Sequence, residues 1–491
     1  MRLTNRICVA STLIATTCLI QACTVGPDYQ RPDLTLPTAF KENADWKLAK
    51  PGQPIPSNWW DTFGDADLTR LEQQVSGNFS LAQAEAQFRQ ASASAENTKA
   101  GLFPKINVAA AYNRFVSPTG QNQIIPGIRQ TFNTAITAAW ELDLWGRIRR
   151  QVEAGEATAI ASAATMQALK LSLQAQLAQN YFQLRSLDAQ KQVLGDTVKA
   201  FAKTLELTRN RYTAGVVGKS DVVQAETQLT ATEAQLADLD VLRSQMEHSI
   251  AVLIGKAPSE LFITPTADLA AIPDIPPAIP STLLERRPDI AAAEQQMIAA
   301  NAQIGAAKAA FFPNVTLNFI NGFQSSKLER LLTTASHYWA LGPAAATLPL
   351  FEGGTRNAQL TQAIATHEAT TAAYRQTILN GLKEVEDNLS ALKALETEAQ
   401  ALDQSVKTGR EAVELTTNQY KAGAVSFQNV LSAQTAALAN ERSAIGVHGS
   451  RLNAAVILVK ALGGGWDRSA LKDIQKDSGR GWRHYMPFPE S

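Results

Sequence analysis

Residues 132–144, FNTAITAAWELDL, alternate apolar and polar side chains. Phe132, Ile136 and Trp140 belong to the apolar series, and Asn133 and Glu141 belong to the polar series. A period of two residues predicts a strand with one apolar face and one polar face. The length suits a transmembrane β-strand, which needs about 9–11 residues.

A second alternating run precedes this stretch. It follows Phe103-Pro104 and carries Ile106, Val108 and Tyr112 on one face. Because a Gly-, Pro- and Gln-containing loop separates the two runs, residues 104–146 are predicted to form a β-barrel hairpin. The same alternation would also suit a soluble two-stranded sheet.

A weaker copy of the hairpin is predicted at 313–350, after a second Phe-Pro pair. One strand of this copy would carry Val315, Leu317 and Phe319 on its apolar face. The apolar series of the other strand would be Tyr338, Ala344, Ala346, Leu348 and Leu350.

After each hairpin the apolar residues recur at intervals of three, four and seven, which is typical of long helices. This spacing predicts long helical hairpins at 147–255 and 351–462. The first descending helix would be roughly 100 Å long, since a helix rises ~1.5 Å per residue.

The turns of the two helical hairpins have closely similar sequences. Residues 209–221 are RNRYTAGVVGKSD and residues 417–429 are TNQYKAGAVSFQN, at an offset of 208. Gly215 and Gly423 occupy the position where a helix end turns left-handed, which glycine does at little cost. The chain is therefore interpreted as an internal duplication.

Between and around the repeats lie shorter segments. We predict an N-terminal segment with the first repeat helix at 23–103, a second repeat helix at 289–312, a Pro-rich linker at 256–288 and a C-terminal tail at 463–491. The linker contains several prolines, which interrupt regular structure.

The first 22 residues are typical of a secretory signal peptide, with Arg2 and Arg6 before an apolar stretch. The signal ends in Leu19-Ile20-Gln21-Ala22-Cys23, which is similar to a bacterial lipobox. Cys23 is therefore the predicted lipidation site. An ordinary signal peptide followed by a chance cysteine is the alternative.

Composition argues against several functions. The 491-residue chain has 45 Lys and Arg residues and 45 Asp and Glu residues, so we expect no nucleic acid partner. The histidines lack metal-site spacing. Gly218-Lys219-Ser220 matches the end of a phosphate loop, but Thr213 stands where that motif needs glycine. We therefore expect no cofactor and no enzymatic activity.

Two hairpins supply four strands, which cannot close into a barrel. An open sheet edge in lipid leaves backbone groups unpaired, each costing several kcal/mol. Copies of the chain must therefore share one barrel, with eight strands from two copies or twelve strands from three.

Several motifs, in chain order, resemble TolC-like outer membrane efflux proteins of the lipoprotein NodT/OprM type. They are CTVGPDY (23–29), WWDTFGD (59–65), ERRPDI (285–290), LFEGG (350–354) and the two Tyr-x-Ala-Gly turns. The resemblance implies an α+β membrane protein, a homotrimeric channel with a shared 12-stranded β-barrel. Each chain would give four strands, and long helices would form a periplasmic barrel.

The resemblance also implies location and partners. The channel would lie in the bacterial outer membrane, anchored in its lipid through Cys23, with the helical tube in the periplasm. Substrates would come from an inner-membrane pump through a periplasmic adaptor. The adaptor would dock on the tips of the helical hairpins, at Tyr212, Gly215, Val217, Tyr420, Gly423 and Val425.

The family narrows at the periplasmic tips, often with an acidic ring. Candidate positions for this aperture are Asp221, Asn429 and Ser432. Asn429 and Ser432 are neutral, which departs from the acidic pattern and argues against a cation-binding gate. Asp221 also suits a helix N-terminus.

The residues leave the cargo open, since drugs, metals or proteins would all suit a wide conduit. A channel for protein secretion is therefore an alternative function. A lipid-anchored periplasmic coiled-coil scaffold without a pore is another, although it would have no use for the alternating hairpins.

Overall fold

The computed structural model describes residues 24–33, 37, 39–43, 56–116, 128–273, 275, 286–469 and 471. Predictions for the signal peptide, Cys23, the first hairpin loop and residues 276–285 and 472–491 lie outside the described residues. The chain forms two compact units, each built from three segments. The first contains Met1–Asp33, Gln87–Ser162 and Ala292–Arg375, and the second contains Leu34–Ala86, Ala163–Ala291 and Gln376–Ser491.

The first unit contains a four-stranded antiparallel sheet in the order β1-β2-β3-β4. Its strands are β1 (Lys105–Val116), β2 (Ile128–Leu142), β3 (Asn314–Ser325) and β4 (His337–Thr347). The predicted four strands per chain are confirmed. Both repeats contribute a hairpin, and the hairpins pair through β2 and β3.

One face of the sheet is mainly apolar and the other is mainly polar. The two faces can be assigned from the strand pairing, because residues directly opposite each other on neighbouring strands point to the same side. Exposed apolar side chains lie on one face: Ile106, Val108, Tyr112, Ile136, Trp140, Phe319, Trp339 and Leu341. Polar side chains dominate the other: Asn107, Asn133, Thr137, Glu141, Thr316 and Gln324. The alternation expected from the sequence is confirmed.

The prediction that Tyr338 lies on the apolar face is wrong. Leu317 pairs with Ala344, but Phe319 pairs with Leu341, so the register shifts in between. The extra residue, at Gly342-Pro343, forms a bulge that inverts the alternation along β4. Tyr338 therefore shares the polar face, whereas Ala344 is on the apolar one.

Long helices follow each hairpin. In the first repeat these are α3 (Arg147–Thr213) and α4 (Lys219–Leu253), and in the second α6 (Thr355–Lys421) and α7 (Phe427–Ala461). Both descending helices have 67 residues and both returning helices have 35. Corresponding bounds differ by 208 residues, so the duplication extends to the whole helical hairpin.

Shorter helices complete each repeat. They are α1 (Ala66–Glu72), α2 (Phe79–Lys99) and α5 (Pro288–Ala309). Among the described residues, no helix is both long and apolar enough to cross a membrane. The same part of the chain contains no cluster of His, Cys, Asp and Glu that would hold a metal ion.

An extended N-terminal segment, residues 24–33, packs within the first unit. The Val25 amide donates to the Trp145 carbonyl at 3.1 Å. Arg150 donates to Asp28 at 2.7 Å. Farther along, the Tyr29 hydroxyl donates to Glu294 at 3.2 Å. These contacts tie the segment to α3 and α5.

The second unit has an aromatic and ionic core. Trp59, Phe63 and Phe182 pack in tilted or edge-to-face contacts. Arg243 donates to Asp188 at 2.7 Å, and both side chains are buried. Such pairing is required of a buried charge, because an unpaired one is strongly destabilising.

Candidate functional site: the two helical turns

Both turns at the ends of the long helices close with the same backbone hydrogen bonds. In the first turn, the Gly215 amide donates to the Tyr212 carbonyl and the Val216 amide to the Arg211 carbonyl, both at 2.9 Å. The second turn repeats the pattern, with Gly423 donating to Tyr420 at 3.0 Å and Ala424 to Gln419 at 2.9 Å. These are Schellman motifs.

The glycines supply the conformation that this motif needs. Gly215 has φ of 72° and Gly423 has φ of 75°, values that L-residues with side chains rarely adopt. A Cβ atom on either glycine would meet no atom within 4 Å. Each glycine is therefore required for its backbone angle rather than for space.

The two turns share one apolar cluster. Its buried members are Leu205, Ala225, Tyr420, Phe427 and Val430. The predicted docking residues Val217 and Val425 pack against it and are partly buried. The turns of one chain are therefore packed against each other and do not stand apart as separate tips.

The two tyrosines have different surroundings. Tyr420 is only 4% exposed and its ring lies 5.5 Å from that of Phe427. Tyr212, at the matching position, is 46% exposed. The two matching tyrosines therefore differ in burial, although both lie in the Tyr-x-Ala-Gly motif.

Arg211 joins the turns. Its Nη1 donates to the Tyr420 carbonyl at 2.8 Å, and its guanidinium lies 4.6 Å from the Tyr420 ring centroid. The position of the guanidinium over the ring suits a cation–π contact. The second repeat has Gln419 at this position, so the contact has no duplicate.

The predicted aperture residues lie in the first turns of α4 and α7 or just beyond. Asn429 and Ser432 are exposed, and Asp221 is half-buried. The Ser220 hydroxyl donates to Asp221 Oδ1 at 3.4 Å. Asp221 and Asn429 occupy matching positions of the two repeats.

Sequence reasoning did not identify Arg211, Val216 or Val223 as site residues. Val216 and Val223 are exposed apolar side chains beside the first turn. Comparing the repeats at the offset of 208 would have pointed to all three, because their counterparts are Gln419, Ala424 and Leu431.

The protein-family comparison matches residues 71–256 and 279–464 to the family described as outer membrane efflux protein. The two segments correspond to the two repeats. Together they cover most of the chain and confirm its internal duplication.

Individual proteins resemble the chain over most of its length. It is 32% identical over 472 residues to the outer membrane protein OprJ of Pseudomonas aeruginosa, covering 94% of this chain and 96% of OprJ. It is 30% identical over 460 residues to the toluene efflux pump outer membrane protein TtgC of Pseudomonas putida, covering 92% and 95%. The solved outer-membrane channel OprN superposes with a TM-score of 0.86 at 31% identity, over 90% of this chain and 100% of OprN.

Proposed function

The chain belongs to the outer membrane efflux protein family and is an outer membrane channel of an efflux system; we propose that it works passively, as a homotrimer. A periplasmic adaptor would deliver to it the substrates that an inner-membrane pump expels.

One observation carries the proposal: the sheet has an exposed apolar face, a polar face and two unpaired edges, at β1 and β4. Apolar side chains suit lipid and polar side chains suit a water-filled lumen. Unpaired edges cannot remain open in a bilayer. Three copies, with β4 of each pairing with β1 of the next, give a closed barrel of twelve strands.

Two measurements test this proposal: the mass of the assembly distinguishes a trimer from other oligomers, and its conductance distinguishes a channel from a scaffold. We expect detergent-extracted protein to have the mass of three chains by native mass spectrometry. In a planar bilayer the same material should give discrete conductance steps. A stable folded monomer, or an assembly without conductance, would refute the shared barrel.

The adaptor is proposed to dock on the turns, at Tyr212, Gly215, Val217, Tyr420, Gly423 and Val425. Replacing Gly215 or Gly423 by Val forces an unfavourable backbone angle, at a cost on the order of 1–3 kcal/mol. Since a Cβ there meets open space, the strain should stay local. We expect near-normal trimer levels with weaker adaptor crosslinking and efflux. Parallel loss of trimer and efflux would mean that the glycines serve only folding.

The aperture of the tube is proposed at Asp221, Asn429 and Ser432. Because Asn429 and Ser432 are neutral, closure there would rest on packing and hydrogen bonding rather than on a ring of carboxylates. Changing Asn429→Asp should introduce sensitivity of conductance to divalent cations that the parent channel lacks. An equal cation response of both proteins would argue against this position.

Acylation of Cys23 is proposed as the membrane anchor. It is supported by the position of the next two residues, since Val25 bonds to Trp145 just beyond the end of β2. The described residues that come directly after Cys23 in the sequence are thus held beside the end of β2.

A further inference from the structure

The two turns have similar sequences but different surfaces. At the first turn Tyr212, Val216 and Val223 are exposed by 46%, 62% and 50%. From 420 to 432, all of it described, no large apolar side chain is exposed. Single exposed apolar side chains are ordinary on protein surfaces. Here three large apolar side chains are exposed beside the first turn and none beside the second, and this difference calls for an explanation.

The second turn buries its apolar residues against the first. Tyr420, Phe427 and Val430 are all within the shared cluster. Lys219 stands at the position that Phe427 takes in the second repeat, and Lys219 is exposed. The apolar side chains of the second turn are thus buried against the first turn, whereas the first turn also has apolar side chains that are exposed.

From this asymmetry, and resting on the proposed function, we infer that the adaptor docks chiefly on the first turn, through Tyr212, Val216 and Val223. The occupant is a surface of the adaptor that presents aliphatic side chains and carries no net positive charge. The second turn serves as a support beneath this surface.

Another copy of this chain fits the surface poorly. In a closed ring the turns alternate, so the free side of a first turn meets the second turn of a neighbour. That turn presents exposed polar residues, including Lys421, Gln428 and Asn429. Both turns are also net basic: residues 209–223 hold Arg209, Arg211 and Lys219 against Asp221, and Lys421 is the single charged residue in 417–431. Because the two turns have net charge of the same sign, a neighbouring copy has no electrostatic advantage as the occupant of this surface.

The duplication supplies a matched control for every change. Val216 corresponds to Ala424, and both are exposed, so neither substitution disturbs a packed core. We would compare Val216→Asp with Ala424→Asp in cells that carry an epitope-tagged adaptor of the same efflux system. A photo-crosslinking amino acid placed at 216 or at 424 would report the neighbour directly.

We expect crosslinks to the tagged adaptor from position 216 and about tenfold fewer from 424, as for loss of an anchor residue at an interface. Val216→Asp should lower efflux, while Ala424→Asp leaves it near the parent level. Equal effects at the two positions would overturn the inference. Crosslinks from 216 to a second copy of this chain would also overturn it.

The same samples keep the inference separate from the proposed function. Channels purified from each variant should retain conductance in planar bilayers. If conductance is retained and adaptor crosslinking is equal from positions 216 and 424, only the inference that the adaptor prefers the first turn would be refuted. Loss of conductance in the parent protein would instead defeat the channel proposal.

Discussion

The Tyr338 hydroxyl donates a hydrogen bond to Asn133 Oδ1 at 3.1 Å, although β3 lies between their strands. The contact crosses Gly322, which pairs with Tyr338 on one side and with Ala135 on the other. A Cβ at Gly322 would lie 2.4 Å from the Thr134 carbonyl oxygen. The glycine thus leaves room for the strands to approach and for the tyrosine to pass over it.

Changing Gly322→Ala should destabilise the sheet by about 1–3 kcal/mol, because an extra methyl group is forced against the backbone of β2. Changing Tyr338→Phe should cost only about 0.5–1.5 kcal/mol, the value of a single hydrogen bond. Heat-modifiable migration of the purified assembly measures both. A Gly322→Ala protein that unfolds at the parent temperature would contradict the close approach.

Changing Arg211→Met should loosen the second turn. It removes a charged hydrogen bond worth about 1.5–3 kcal/mol and the contact with the Tyr420 ring. Amide hydrogen exchange in the peptide 417–429 should become faster, since local opening becomes easier.

Arg209→Met provides the control, because the ion pair of Arg209 with Glu226 is exposed on both sides and such pairs contribute little. Exchange in 417–429 should be the same in this variant as in the parent. Protection that survives in Arg211→Met would show that the apolar cluster alone holds the turn.

Local periodicity predicts the strands and the long helices, because each depends on residues close in sequence. The duplication is visible as sequence similarity at an offset of 208. Neither signal predicts the surfaces of the turns. Tyr212 and Tyr420 have the same neighbours in the Tyr-x-Ala-Gly motif, yet one is exposed and the other is buried under Arg211. That difference arises from contacts between repeats, which no single window of sequence contains.

The error at Tyr338 has a similar origin. The predicted alternation continues through Gly342-Pro343 as it would in a regular strand. A bulge depends on the partner strand, and its extra residue reverses the faces beyond it. Proline inside a strand pattern was the available signal, because proline within a sheet is confined to edges, first positions and bulges.

Glu72 makes stability depend on pH. The side chain is buried, and neither carboxyl oxygen has a hydrogen-bond partner within the described residues. Burial raises the pKa of Glu72 to about 9, from an ordinary value of 4.5. The folded protein therefore keeps a proton that the unfolded chain loses above its own pKa. The contribution of Glu72 to stability should be greatest below pH 4.5 and should fall as the pH rises towards 9, by about 1.4 kcal/mol per pH unit.

Glu72→Gln keeps the shape of the side chain and removes its ionisation. The unfolding temperature of the variant should exceed that of the parent at pH 8, and the two should converge near pH 4.5. Melting curves across this range measure the difference. Parallel curves for the two proteins would show that the Glu72 carboxyl finds a partner.

Cys23→Ser should abolish incorporation of radiolabelled palmitate, because serine does not provide the acceptor thiol. Cys18→Ser, within the predicted signal peptide, is the matched control and should label like the parent. Since residues 24–33 are held by Trp145, Arg150 and Glu294, the unacylated protein should still assemble. Palmitate retained in Cys23→Ser would remove Cys23 as the acceptor.

The duplication also changes what a single mutation can do. In a ring of identical turns, any substitution would appear at every turn at once. The same residue would then have to serve both the docking surface and the packing that supports it. Here the repeats are separate stretches of one gene, and a substitution reaches only half of the turns. Residues of one turn can change to suit a new partner while residues of the other turn keep the packing between the turns. Specificity for a partner can therefore evolve in this chain without placing the closure of the tube at risk.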